Sequence, residues 1–99
     1  MKKSILSLCV LASLSLYGAE YDKEQGEMLS LSCASCHGTD GRSVAITPTI
    51  AGMGKAYLQS TLLDYKHGRK EGTMMQKHSK GFTDAEIEQI AYYFSKVKR

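Results

Sequence analysis

Five consecutive residues, Cys33-Ala34-Ser35-Cys36-His37, constrain this chain more than any other feature. Two thiols three positions apart lie on one side of a helical turn, and an imidazole follows at once. Such a cluster serves a disulfide or redox dithiol, a metal held by thiolate and imidazole, or haem captured through two thioethers with the histidine on iron. A thioredoxin-like dithiol belongs beside a βαβ pattern, and no run here alternates with period two over strand length. Zinc needs two further ligands at matched spacing, and downstream only His67 and His78 remain. Cys-x-x-Cys-His is the attachment pattern of c-type haem, which makes Cys33 and Cys36 the expected covalent anchors and His37 the expected iron ligand.

Of the 99 residues, the first nineteen read as an export signal: Lys2 and Lys3 open it, and Ile5 to Leu16 form an apolar core. That core is shorter than the roughly 20 residues of a membrane span, and charged sequence follows from Glu20. Cleavage after Ala19 and delivery to the periplasm are expected, with an uncleaved anchor as the alternative because Tyr17 stands where a small residue is usual. Cys9 follows Leu8 inside the apolar run and is assigned to the leader, not to a lipid anchor. Residues 20–99 then form one domain, which at this size buries only roughly 60–65% of its unfolded surface. A fold so small needs a staple, and a tethered cofactor is one.

Without Lys2 and Lys3 the 13 basic residues fall to 11 against 10 acids, and the net charge from +3 to about +1. That balance excludes the basic excess of a nucleic-acid binder. Two haem propionates would carry it to about −1.

Asp22 and Gln25 form a capping-box start for a helix over about 22–34, with Met28, Leu29, Leu31 and Cys33 as its apolar stripe. Glycines and the single Pro48 make 38–54 a long loop, long enough to wrap something. A second helix is expected over 55–67, with Tyr57, Leu58, Thr61, Leu62 and Tyr65 near one face and Gly68 as its stop. Residues 69–81 are polar and break the periodicity. Thr83 and Glu86 then cap a last helix carrying Ile87, Ile90, Ala91, Phe94 and Val97. The class is all-α, three main helices with long loops.

A six-coordinate haem iron needs a second axial ligand, and methionine is the usual partner of histidine in electron transfer. Met74 and Met75 stand in the polar 69–81 stretch, flanked by Gly72, Thr73, Gln76 and Lys77, where core filling is the weaker explanation for a methionine. His67 and His78 lie among lysines and read as solvated, with His78 as the distal ligand of a bis-histidine alternative. Lys66, Arg69, Lys70, Lys77 and Lys80 are a solvated face or, functionally, a docking ring. Arg42, Lys55 and Tyr57 are candidate propionate partners.

These residues together resemble the class I cytochromes c, the small bacterial monohaem type similar to the cytochrome subunit of flavocytochrome c sulfide dehydrogenases. The likeness spans 21–97. It implies that the first and last helices cross at Gly26 against Tyr93, that the carbonyl of Pro48 holds the His37 imidazole, and that Met75, eight residues before Thr83, is the distal ligand with Met74 in reserve. It also implies an exported electron carrier with redox protein partners, a monomer or a subunit of a heterodimer, and no catalytic residue of its own. Two alternatives stay open: a haem-bearing subunit of a flavin or molybdenum dehydrogenase, and a ligand-binding sensor with an open iron site. A cleft lined by Cys33, Cys36, His37, Pro48 and Met75 is expected.

Overall fold

The computed structural model describes residues 20–99, and the expected leader 1–19 lies outside them. Four α-helices and one 3-10 turn follow in order: α1 (Lys23–His37), the turn (Thr39–Gly41), α2 (Lys55–Lys66), α3 (Thr73–Lys80) and α4 (Asp84–Lys96). Among the described residues there is no strand, in agreement with the all-α expectation.

The last helix is the hub, because it packs against both α1 and α2. Its start is a full capping box: Glu86 N–H donates to Thr83 Oγ1 at 3.1 Å, and Thr83 N–H donates to Glu86 Oε1 at 2.8 Å. Ile87, Ile90, Ala91 and Phe94 recur at helical spacing and are all buried, joining Leu58 and Leu62 of α2 and Ile50 of the long loop in one core. Val97, expected inside the helix, instead caps its end.

Helix α1 differs from the sequence reading in phase and length. Its inward face is Gly26, Leu29, Ser30 and Cys33, whereas Met28 and Leu31 are 73% and 68% exposed. The Asp22 carboxylate does cap the helix, accepting from Gln25 N–H at 3.1 Å. The reciprocal half of the box is replaced by a long-range bond, Asp22 N–H to Gln89 Oε1 at 2.7 Å, and Gln89 Nε2 also donates to the Glu20 carbonyl at 2.9 Å. A buried glutamine on α4 thus clamps the entry to α1. The helices cross at Gly26, where a β-carbon would stand 3.0 Å from the Gln89 carbonyl oxygen and 3.2 Å from Tyr93 Cβ, so only glycine permits the approach.

The 69–81 stretch, read as an interruption, contains α3. Eight residues with three basic side chains in the last turn and only two methionines leave too short an apolar pattern for periodicity to register. Three main helices therefore become four. Gly68, at φ 76°, ends α2 as expected.

Candidate functional site

Helix α1 runs three residues past its expected end, so the whole Cys-x-x-Cys-His cluster lies in its last turns. Both thiols are free. Cys33 faces the core, and burial pushes its thiol pKa up, which keeps it protonated at neutral pH; Cys36 is exposed. Gly38 then turns the chain at φ 86° and ψ 166°, a region open essentially to glycine alone.

The reversal brings Pro48 back to His37. His37 Nδ1 lies 2.7 Å from the Pro48 carbonyl oxygen. A carbonyl only accepts, so Nδ1 carries the hydrogen and Nε2 is left with a free lone pair. Gly41 anchors the return: its carbonyl accepts from Ile50 N–H at 2.8 Å and Ala51 N–H at 3.2 Å. Gly41, at φ 76°, has room only for hydrogen, because a β-carbon would meet the Phe94 ring at 2.9 Å.

Met75 is half-buried on α3 and packs against the same core as Cys33, while Met74 is 59% exposed. His67 and His78 are exposed, as expected. Cys36 and Pro48 are exposed, while Cys33, His37 and Met75 are half-buried. The arrangement is an open flank, with Leu29, Cys33, Met53, Leu63, Met75 and Phe82 as a partly covered apolar border of the core.

Two of the three candidate propionate partners are engaged elsewhere. Arg42 Nε donates to the Lys98 carbonyl at 2.9 Å, and Lys55 Nζ pairs with Glu88 Oε2 at 2.9 Å under the Tyr92 ring. In the lysine set, Lys66 is paired with Asp84 at 2.6 Å and Arg69 with Asp64 at 2.8 Å, whereas Lys77 and Lys80 are exposed.

A bond that the sequence reading missed ties the turn after the cluster to α4. Tyr93 Oη donates to Asp40 Oδ1 at 2.5 Å, with Asp40 held at φ 55°. The bond is the main reason the Tyr93 phenol is pushed up to about 12, with burial second. The folded pKa exceeds the unfolded value of 10.0, so the stabilisation is complete below pH 10 and is lost as pH rises through about 12. The denaturation midpoint is expected to fall across that window, and Tyr93→Phe should lose less there than wild type. Equal slopes would remove the role given to this pair; Tyr21, also raised by burial, is common to both proteins.

Among the described residues no three His, Cys, Asp or Glu side chains come together to hold a bare metal ion. The donor set suits haem c instead: two free thiols one turn apart, an imidazole with its Nε2 lone pair available, and a thioether against the same apolar core. An all-helical fold with a long wrapping loop and this thiol–imidazole corner defines a protein built around a tethered haem.

A family model for cytochrome c matches residues 23–98. The chain is 46% identical over 77 residues to the cytochrome subunit of sulfide dehydrogenase of Chlorobaculum tepidum, covering 78% of this chain and 70% of that protein. It is 36% identical to cytochrome c-554(548) of Halomonas halodenitrificans over 75% of this chain and 94% of that one. Cytochrome c-553 of Helicobacter pylori is 30% identical, over 99% of this chain and all of that protein. The chain belongs to the cytochrome c family. It is an electron-transfer protein whose cofactor is one covalently bound haem c with its iron.

Proposed function

We propose that this chain is an exported electron carrier of the periplasm, with residues 1–19 as a cleaved signal and residues 20–99 as the cytochrome domain. Cys33 and Cys36 would tether the haem, His37 and Met75 would hold its iron, and Pro48 would orient the imidazole. The observation that carries this reading is the His37 Nδ1 to Pro48 carbonyl bond at 2.7 Å, which fixes the tautomer that presents Nε2 to a metal.

Bound haem supplies a one-electron couple and needs no acid, base or nucleophile. The protein's part is to tune and to hold. His37, with its ring fixed by Pro48, gives a nitrogen ligand of set orientation. Met75 gives a soft sulfur that favours the reduced state and raises the potential. Leu29, Met53, Leu63 and Phe82, packed against the core, give the site an apolar border. Among the described residues no helix is long and apolar enough to cross a membrane.

Met75→Ala tests the ligand assignment. It is expected to lose the sulfur-to-iron charge-transfer band of the oxidised protein and to lower the reduction potential, while Met74→Ala leaves both unchanged. The reverse pattern would move the ligand to Met74, and an unchanged spectrum in both would favour His78.

The partners are redox proteins. Likeness to the cytochrome subunit of a sulfide dehydrogenase supports a second arrangement, in which this chain serves as the haem-bearing subunit of such a complex. Purification separates the two: a free monomer supports the carrier, and a stoichiometric complex with a flavoprotein supports the subunit.

A further inference from the structure

The loop that carries Pro48 closes on itself. Ser43 N–H donates to Thr49 Oγ1 at 3.1 Å, and Ile50 and Ala51 N–H both donate to the Gly41 carbonyl, so residues 42–52 hold together as one unit seated on buried Ile50. The middle of that unit has no packing to fix its tilt. Ala45 and Pro48 are exposed, and Val44 and Ile46 are 100% exposed. The place of the Pro48 carbonyl is therefore set by what holds the two ends of the loop.

Two arginines hold those ends to the segment that follows α4, one from each side. Arg42 Nε, on the loop, donates to the Lys98 carbonyl at 2.9 Å, and Arg99 Nε, on the segment, donates to the Ala51 carbonyl at 3.2 Å. The stem of Arg99 lies across Gly52, where a β-carbon would stand 2.6 Å from Arg99 Cγ and where φ is 74°. Gly52 N–H adds a backbone bond to the Phe94 carbonyl at 2.8 Å, next to the same contact. We propose that Arg42 and Arg99 are positioning residues for the haem iron ligand: by clasping 97–99 to the loop they keep the Pro48 carbonyl against His37 Nδ1 and so fix the imidazole. The inference rests on the assignment of His37 as an axial ligand.

The bond from Nδ1–H to a carbonyl fixes the ring and raises its basicity, which favours oxidised iron. A loosened clasp therefore weakens that bond and raises the reduction potential. The charge of the segment is separable from the clasp. Lys98 contributes only its backbone carbonyl, and Lys96 Nζ lies over the Tyr21 ring at 5.4 Å. Replacing both lysines removes two positive charges and leaves the two arginine bonds in place.

The test follows solvent exchange of the His37 Nδ1–H by NMR in the reduced, haem-loaded, isotope-labelled protein. Arg42→Gln and Arg99→Gln are each expected to speed exchange about fivefold, as for loss of one hydrogen bond at the surface, and the double variant to speed it further. The double variant should also have a higher reduction potential than Lys96→Gln with Lys98→Gln, which loses the same charge and keeps wild-type exchange. Ile87→Val trims the core without touching the clasp, so it should lower the denaturation midpoint and leave exchange unchanged, which separates positioning from stability. Exchange in the double arginine variant no faster than in the lysine control, or no faster than in Ile87→Val, would overturn the proposal. His37 ring protons without the upfield shift of an iron-bound imidazole would instead refute the axial assignment, and the proposal with it.

Discussion

Gly38→Ala is expected to lose at least about 3 kcal/mol of folding stability, from left-handed backbone strain of about 1–3 kcal/mol plus a steric term. The added β-carbon would stand 2.2 Å from the Arg42 carbonyl oxygen and 2.8 Å from its carbonyl carbon, neither of which is the end of a flexible side chain. Relief requires the 38–42 segment to move, and that segment carries the Gly41 carbonyl to which Ile50 and Ala51 are bonded. Pro48 lies two residues before Ile50, so the movement reaches the carbonyl that holds His37. The variant should therefore show both a lowered denaturation midpoint and a disturbed haem spectrum. A stability within about 0.5 kcal/mol of wild type, the range of an ordinary surface change, would mean that the turn is not rigid.

The second large effect concerns the tether. Cys33→Ser with Cys36→Ser changes two sulfurs to oxygens and leaves Leu29, Ser30 and the α1–α4 crossing untouched. It is expected to abolish haem that survives denaturation and to cost most of the fold's stability. A domain of this size has little core to spare, as the short roster of large, fully buried side chains among the described residues shows: Phe94, Ile87, Ile90 and Ser79. Single variants are expected to keep one thioether and an intermediate stability. Haem staining on a denaturing gel and helical circular dichroism read the two consequences separately.

What could be read from the sequence depended on how local the signal was. The thiol–imidazole corner needs five adjacent residues, and α4 announces itself through Thr83, Glu86 and five apolar positions at one period. Helix α3 escaped because its one half-buried methionine and its buried Ser79 do not make an apolar stripe. The phase of α1 was misread for a related reason. Met28 and Leu31 look like core residues, yet close crossing at Gly26 turns Ser30 inward and those two outward. The Gln89 clamp, the Tyr93–Asp40 bond and the left-handed turn at Asp40 join residues far apart in sequence, and a single chain carries no local mark of them. Gly26 and Pro48 enter the sequence reading only through the family resemblance. Their meaning lies in what the backbone approaches, 3.0 Å at the one and 2.7 Å at the other.

Electron transfer through a haem held by Cys33, Cys36 and His37 is most directly tested by the intact mass of the purified native protein, measured under denaturing conditions and joined to peptide mapping. The account predicts a chain that begins at Glu20, heavier by one haem, with the added mass on the peptide that contains residues 33–37. A chain at its bare mass, or one lighter by two hydrogens because Cys33 and Cys36 have formed a disulfide, would contradict it.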